Sequence, residues 1–310
     1  MNELEPSNQK KLFGIGKHLL ELNRLYKSGI YPNKLLLSGP KGIGKSTLAY
    51  HFINLVLSRD ETTKYDINNF EINTESQTYK TILNKSNINL TVIDINFEKK
   101  SIDINQIRDL IIGLNKSSFN NKPRFVLIDN IELLNTISIN ALLKVLEEPN
   151  QNVNFMLINN NKKIPSTLLS RCINYKINIT NNEFLKIANQ LFKKKLEDLI
   201  NNDLINYYST PGNIFYLIKF AEKYKYNLLE NDLKKFLKIL ISENHYKKDL
   251  SMKYIMFDLV ELYFRKLNFS FSKQISSKYS YFLKRISDSK TFNLDEDSLF
   301  MEFEEEILNG

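Results

Sequence analysis

Residues 39–47 read Gly-Pro-Lys-Gly-Ile-Gly-Lys-Ser-Thr, and no other stretch limits the fold of this chain as tightly. They match G-x-x-x-x-G-K-[ST], a turn whose successive backbone N–H groups converge on one phosphate. The pattern carries meaning only between a strand and a helix. Residues 35–38 supply an apolar run of strand length before it, Leu-Leu-Leu-Ser. After it, Leu48, Phe52, Leu55 and Val56 recur at helical spacing. Gly39, Gly42 and Gly44 let the backbone turn tightly, and the following helix aims its positive end at the same anion. Lys45 is placed to reach the outer phosphates of a nucleotide, and the Ser46 hydroxyl, with Thr47 beside it, to ligate Mg2+. The stretch predicts a nucleotide-binding α/β domain with a nucleotide and Mg2+ as ligands.

The flanking sequence repeats the strand–helix alternation. Residues 10–28 predict a helix with Leu12, Leu19, Leu20, Leu22 and Leu25 on its apolar face. Residues 60–89 are polar with weak periodicity and are expected to form a variable or poorly ordered insertion. Residues 90–95 predict a second strand, and 104–114 a helix with Ile107, Leu110, Ile111 and Leu114 on one side. Arg124-Phe125-Val126-Leu127-Ile128 is apolar enough to be buried on both faces, as in a parallel sheet. It ends in Asp129, a carboxylate suited to ordering a Mg2+ shell. A helix over 138–147 is stopped by Pro149, and residues 155–158 form a further buried strand tipped by Asn159, Asn160 and Asn161. Pro165 opens a short helical turn, and 173–179 alternates like an edge strand. Ser38, Asp129 and Asn159 all stand at carboxyl ends of strands, where ligands of open α/β sheets bind. Beyond 180 the pattern is helical: a helix over 181–199, a turn at 209–213, a helix over 214–224, and amphipathic helices to about 308.

Composition narrows the partners. A net charge of +8 favours an anionic partner, although Asn, Ile and Lys are abundant throughout the 310 residues. The single cysteine, Cys172, excludes an intramolecular disulfide and a multi-cysteine zinc site. His18, His51 and His245 are too scattered to suggest a metal centre. The acidic N-terminus lacks the apolar core of a secretory signal, and no apolar run approaches the ~20 residues of a membrane span. A cytoplasmic protein with no membrane partner is expected.

Longer motifs add a resemblance. Residues 36–49 resemble the phosphate loop of AAA+ clamp-loader subunits. Leu127-Ile128-Asp129-Asn130, followed by Asn140-Ala141-Leu142-Leu143-Lys144-Val145-Leu146-Glu147-Glu148-Pro149, is similar to a longer signature of that family, and Ser170-Arg171-Cys172 to its Ser-Arg-Cys motif. Ser209-Thr210-Pro211-Gly212 resembles the Gly-Ser-Pro-Gly turn of the delta-prime branch. The resemblance covers residues 10–225; the remainder matches only in being helical. It implies a RecA-like AAA+ core over 1–180, a small helical lid over 181–224 and an all-α collar over 225–310. In such a subunit Gly39, Gly42, Gly44, Lys45, Ser46 and Thr47 hold ATP, and Ser46 and Asp129 hold Mg2+. Asn159 or Asn160 stands at the sensor position, and Arg171 is an arginine finger offered to a neighbouring subunit. Implied partners are gamma/tau and delta clamp-loader subunits, the sliding clamp and primer–template DNA. Asn140 and Lys144 are candidates for facing DNA or a neighbour.

The sequence also departs from the family. Active members carry Glu where Asn130 stands, and an amide cannot take a proton from water. Glu132, two residues on, would need an unusual geometry to substitute. No arginine stands near Gly212 in the lid, and residues 70–86 lack the zinc-binding cysteines of many relatives, so no zinc is expected. The departures imply a subunit that binds ATP and hydrolyses it weakly or not at all. The alternative is a motor-type P-loop ATPase, of the gamma/tau branch or another DNA-remodelling AAA+ protein. The chain's end soon after the collar-like region argues for the first expectation.

Overall fold

A computed structural model describes residues 5–95, 101–115, 120–147, 152–206, 209–267, 273–292 and 295–309. The chain divides into two compact units, one of residues 1–191 with 210–212, the other of 192–209 with 213–310.

The first unit is an α/β RecA-like P-loop core. Its elements run α1 (Gly16–Lys27), β1 (Lys34–Ser38), α2 (Lys45–Leu57), α3 (Gln77–Leu83), β2 (Leu90–Ile93), α4 (Ile104–Leu114), β3 (Arg124–Ile128), α5 (Thr136–Glu147), β4 (Val153–Asn159), α6 (Ser166–Leu169), β5 (Ile173–Lys176) and α7 (Asn181–Phe192). The five strands pair in parallel, in the order β2-β3-β4-β1-β5. The central strands read as unbroken apolar runs because both faces are covered. Period-2 alternation then splits them between two cores. Leu35, Leu37, Phe125, Leu127, Met156 and Ile158 join Leu19, Leu48 and Phe52 on one face. Leu36, Val126, Ile128, Phe155 and Leu157 join Ile107, Leu142 and Leu146 on the other. Each such side chain contributes about 1.5–3 kcal/mol on burial. The sheet's carboxyl edge, where the polar tips collect, therefore rests on a rigid base.

Three expectations are corrected. The first helix begins at Gly16, not near residue 10, because residues 10–12 bond to other backbone. Leu12 N–H donates to the Phe70 carbonyl at 2.9 Å and Ile72 N–H to the Lys10 carbonyl at 2.8 Å. Residues 60–89 form part of the core: Tyr65, Ile72, Tyr79 and Ile82 are buried in it. Glu61 there accepts from Ser76 and Thr78, and the Ser76 side chain caps α3. The helix from 181 stops at Phe192, just before Lys193 takes a left-handed conformation at φ +54°.

A further helix, α8 (Pro211–Tyr224), begins inside the turn expected at 209–213 and absorbs its last three residues; proline suits a first helical position, where its missing N–H is not needed. Residues 148–151, including the expected helix stop at Pro149, lie outside the described residues.

The second unit is helical. It holds α9 (Leu233–Ser242), α10 (His245–Lys248), α11 (Leu250–Leu267), α12 (Lys273–Phe292) and α13 (Glu296–Phe303), and ends in a π turn over Glu304–Leu308. Its core is aromatic: Phe257 stacks on Phe300 with centroids 5.4 Å apart, and Phe264, Phe282 and Phe303 meet one another at 5.5–5.6 Å. Asp232 and Asp295 cap α9 and α13. No described helix is long and apolar enough to cross a membrane.

Candidate functional site

The glycine loop joins β1 to α2, and Gly44 caps α2 in a left-handed conformation, φ +95°, that a side chain would strain. The turn brings Lys45 inward, with only 3% of the residue exposed. Its ammonium donates to the carbonyls of Gly39 at 2.8 Å and Pro40 at 2.7 Å. Burial lowers its pKa to about 8, against the opposing pull of Asp129 and Glu132. Among the described residues, the N–H groups of Gly42, Ile43 and Gly44 donate to no backbone carbonyl. A buried cation beside backbone N–H groups that bond no backbone carbonyl fits a phosphate chain.

The Ser46 hydroxyl donates to Asp129 Oδ2 across 83 residues of sequence. Burial and the negative charge of Asp94 push the Asp129 carboxyl up to about 6, while the bonds from Ser46 and the Asn130 N–H oppose the shift. Hydroxyl and carboxylate are hard oxygen donors. Mg2+ commonly takes one or two protein oxygens and completes its shell with phosphate and water, so this pair suits it.

A second polar group lies beside the first. Asn130, left-handed at φ +53°, donates its amide to Asp94 Oδ1 at 2.7 Å. Its own carbonyl accepts from Asn160 Nδ2 at 2.9 Å, and the same Nδ2 donates to Glu132 Oε1 at 2.8 Å. Asn159 does not join this group. Its amide bonds both backbone groups of Lys162, at 2.9 and 3.0 Å, and so fixes its own turn. Sequence reasoning passed over Asp94, although it ends β2 much as Asp129 ends β3; the same strand-tip rule would have found it.

Gly212 also reaches the loop. Its N–H donates to the Gly42 carbonyl at 2.9 Å, and a Cβ there would lie 2.8 Å from Gly42 Cα and O. Close backbone approach explains the glycine.

Arg171 lies apart from these groups. Its Nε donates to Glu147 Oε1 at 2.9 Å, Nη2 bonds the same oxygen, and Nη1 donates to the Thr167 carbonyl at 2.7 Å. The side chain is 32% exposed. Asn140 and Lys144 are exposed on α5, on the side that also carries Ile137 and Glu147. Cys172 is half-buried, and burial raises its thiol pKa to about 11, so it stands as an unreactive neutral group.

Several known proteins are similar to this chain. It is 28% identical over 179 residues to DNA polymerase III subunit gamma of Buchnera aphidicola from Schizaphis graminum, covering 57% of this chain and 47% of that protein. It is 43% identical over 75 residues to subunit delta' of Buchnera aphidicola from Baizongia pistaciae, covering 24% and 22%. The chain thus spans less than half the length of these curated relatives. A solved gamma subunit-related protein of Thermotoga maritima aligns over 92% of this chain and 96% of its own at 17% identity, with a TM-score of 0.46. The family described as DNA polymerase III, delta subunit, matches residues 16–181, more than half of the 310. The chain belongs to this DNA polymerase III clamp-loader family.

Proposed function

We propose that the chain is a delta-prime-type subunit of a bacterial DNA polymerase III clamp loader. It binds ATP–Mg2+, turns it over slowly, and offers Arg171 to the nucleotide of a neighbouring subunit. The carrying observation is the buried Lys45 ammonium at the glycine loop and the Ser46–Asp129 pair, beside an Asn130 whose side chain bonds Asp94 and Asn160. Gly39, Gly42, Gly44 and Thr47 complete the phosphate cradle. Ser46 and Asp129 would hold Mg2+, which neutralises charge on the outer phosphates. Around that core we retain a lid over 181–224 and a collar over 225–310. The assembly would include gamma/tau and delta subunits, the sliding clamp and primer–template DNA, in the cytoplasm.

Arg171 supports the finger reading as a half-exposed surface cation held by Glu147 and the Thr167 carbonyl. An exposed ion pair is worth ~0–1 kcal/mol, so exchanging Glu147 for a phosphoryl group costs little. Supplied in trans, an arginine is worth roughly 10^3–10^5 in phosphoryl-transfer rate. A gamma/tau-type motor is the second reading, favoured by the gamma and gamma/tau names of relatives that match over longer stretches than the delta' relative.

Reconstitution separates the two. The purified chain should bind a fluorescent ATP analogue with Mg2+ and release phosphate slowly. Arg171→Ala should leave that affinity intact and lower the ATPase of a loader assembled with gamma/tau and delta subunits. Brisk, DNA-stimulated turnover by the isolated chain would establish the motor reading instead, and a fully active Arg171→Ala loader would remove the finger.

A further inference from the structure

We infer that Glu132, two residues beyond the usual position, is the carboxylate that takes the proton from the attacking water in this pocket, and that Asn160 holds it in place. The inference rests on the ATP binding proposed above. Asn130 cannot serve as that base, because an amide takes no proton from water, and its side chain is held by Asp94 and Asn160. The left-handed turn at Asn130 throws the chain into a 3-10 turn over Ile131–Leu133, and that turn carries Glu132 back toward the strand tips. Asn160 then meets it with two donors, Nδ2 to Oε1 at 2.8 Å and backbone N–H to Oε2 at 3.4 Å. Both amide protons of Asn160 are thereby committed, one to Asn130 and one to Glu132, so its role here is positioning. The carboxylate keeps free lone pairs and is half-buried, so water reaches it. It also lies near enough to Lys45 for its charge to strengthen that lysine's hold on its proton. Glu132 and Lys45 thus lie within electrostatic reach of each other.

The step balances without another reactant. A water oxygen bonds the γ-phosphorus while one of its protons passes to Glu132. The bond from γ-phosphorus to the bridging oxygen breaks, its electron pair leaves with ADP, and Glu132 later returns the proton to solvent. A positioned base is worth about 10^2–10^4 in rate.

The test measures phosphate release in a single turnover, and ATP-analogue binding in parallel, on the full chain alone and in the reconstituted loader. Wild type should release phosphate slowly. Glu132→Gln should lower that rate by ~10^2 or more with affinity kept within about threefold. Asn160→Ala should lower it ~10-fold, again at constant affinity, because the base is then unanchored. Asn130→Glu placed in the Glu132→Gln chain should restore turnover, showing the pocket still folded and competent. Binding with unchanged turnover in Glu132→Gln overturns the inference. So does a wild-type chain that binds ATP yet releases no phosphate. Failure to bind ATP at all is read in the binding arm and removes the proposed function along with it.

Discussion

Lys45 and Arg171 are both cations of the α/β unit, and the chain treats them in opposite ways. Lys45 is 3% exposed and donates to backbone carbonyls of its own loop, whereas the Arg171 side chain is 32% exposed and is held by the helix-end carboxylate of Glu147 and the Thr167 carbonyl. Burial lowers the lysine's pKa to about 8, so its charge sits at a cost that an anionic ligand would relieve. The arginine is half-exposed, and its ion pair with Glu147 is worth little. A buried cation suits a ligand that enters beside it, as proposed for Lys45. A half-exposed one at the surface suits the exchange proposed for Arg171.

The largest expected effect tests the buried side of this contrast. Lys45→Ala should weaken ATP–Mg2+ binding about 100-fold, or ~3 kcal/mol, since it removes hydrogen bonds from a charged donor. Titration calorimetry measures it, and an unchanged affinity would break the comparison.

The scaffold beneath the loop gives the next effect. His51 of α2 is buried, with Nδ1 2.7 Å from the Tyr65 hydroxyl and Nε2 3.0 Å from the Gln9 carbonyl. Burial lowers its pKa to about 4 from 6.5. The unfolded chain therefore takes up the proton first, and stability is lost as pH falls from 6.5 toward 4. About 2 kcal/mol of that loss should disappear in His51→Gln when urea unfolding is compared at pH 7 and pH 4.5.

Gly212→Val sharpens the contrast from the loop side. The new Cβ falls 2.8 Å from the Gly42 carbonyl, so the loop or the start of α8 must shift. ATP affinity should drop roughly 10-fold and unfolding free energy by ~1–3 kcal/mol. The smallest effect belongs to Arg171. Arg171→Ala should change the chain's own ATP affinity by less than about twofold and its stability by under ~1 kcal/mol. A large destabilisation would make the Glu147 pair structural and erase the distinction.

Much of the α/β unit is legible in the sequence, and the particulars show why. β1, β3 and β4 announce themselves as unbroken apolar runs because burial on two faces leaves no place for polar residues. The helix over Ile104–Leu114 is readable to the residue, since its apolar stripe is complete and Asp103 with Gln106 forms a capping box at its start. Residues 60–89 mislead because their buried groups, Tyr65, Ile72, Tyr79 and Ile82, are separated by polar residues in no fixed period. Their order comes from contacts with α2 and from residues 10–12, which no local pattern records.

What the sequence by itself determined was the phosphate loop, the strand-tip carboxylate Asp129 and the parallel α/β unit that holds them. Those features depend on local turn chemistry and on hydrophobic period, and both are written in consecutive residues. Only the tertiary structure decided that Asn160 rather than Asn159 bonds Asn130 and Glu132, that Gly212 touches Gly42, and that Arg171 rests on Glu147 and the Thr167 carbonyl. Apart from the local bond to Thr167, each of these is a hydrogen bond or close approach between strand ends and loops far apart in the chain, and its direction is set by how the sheet stacks those ends side by side.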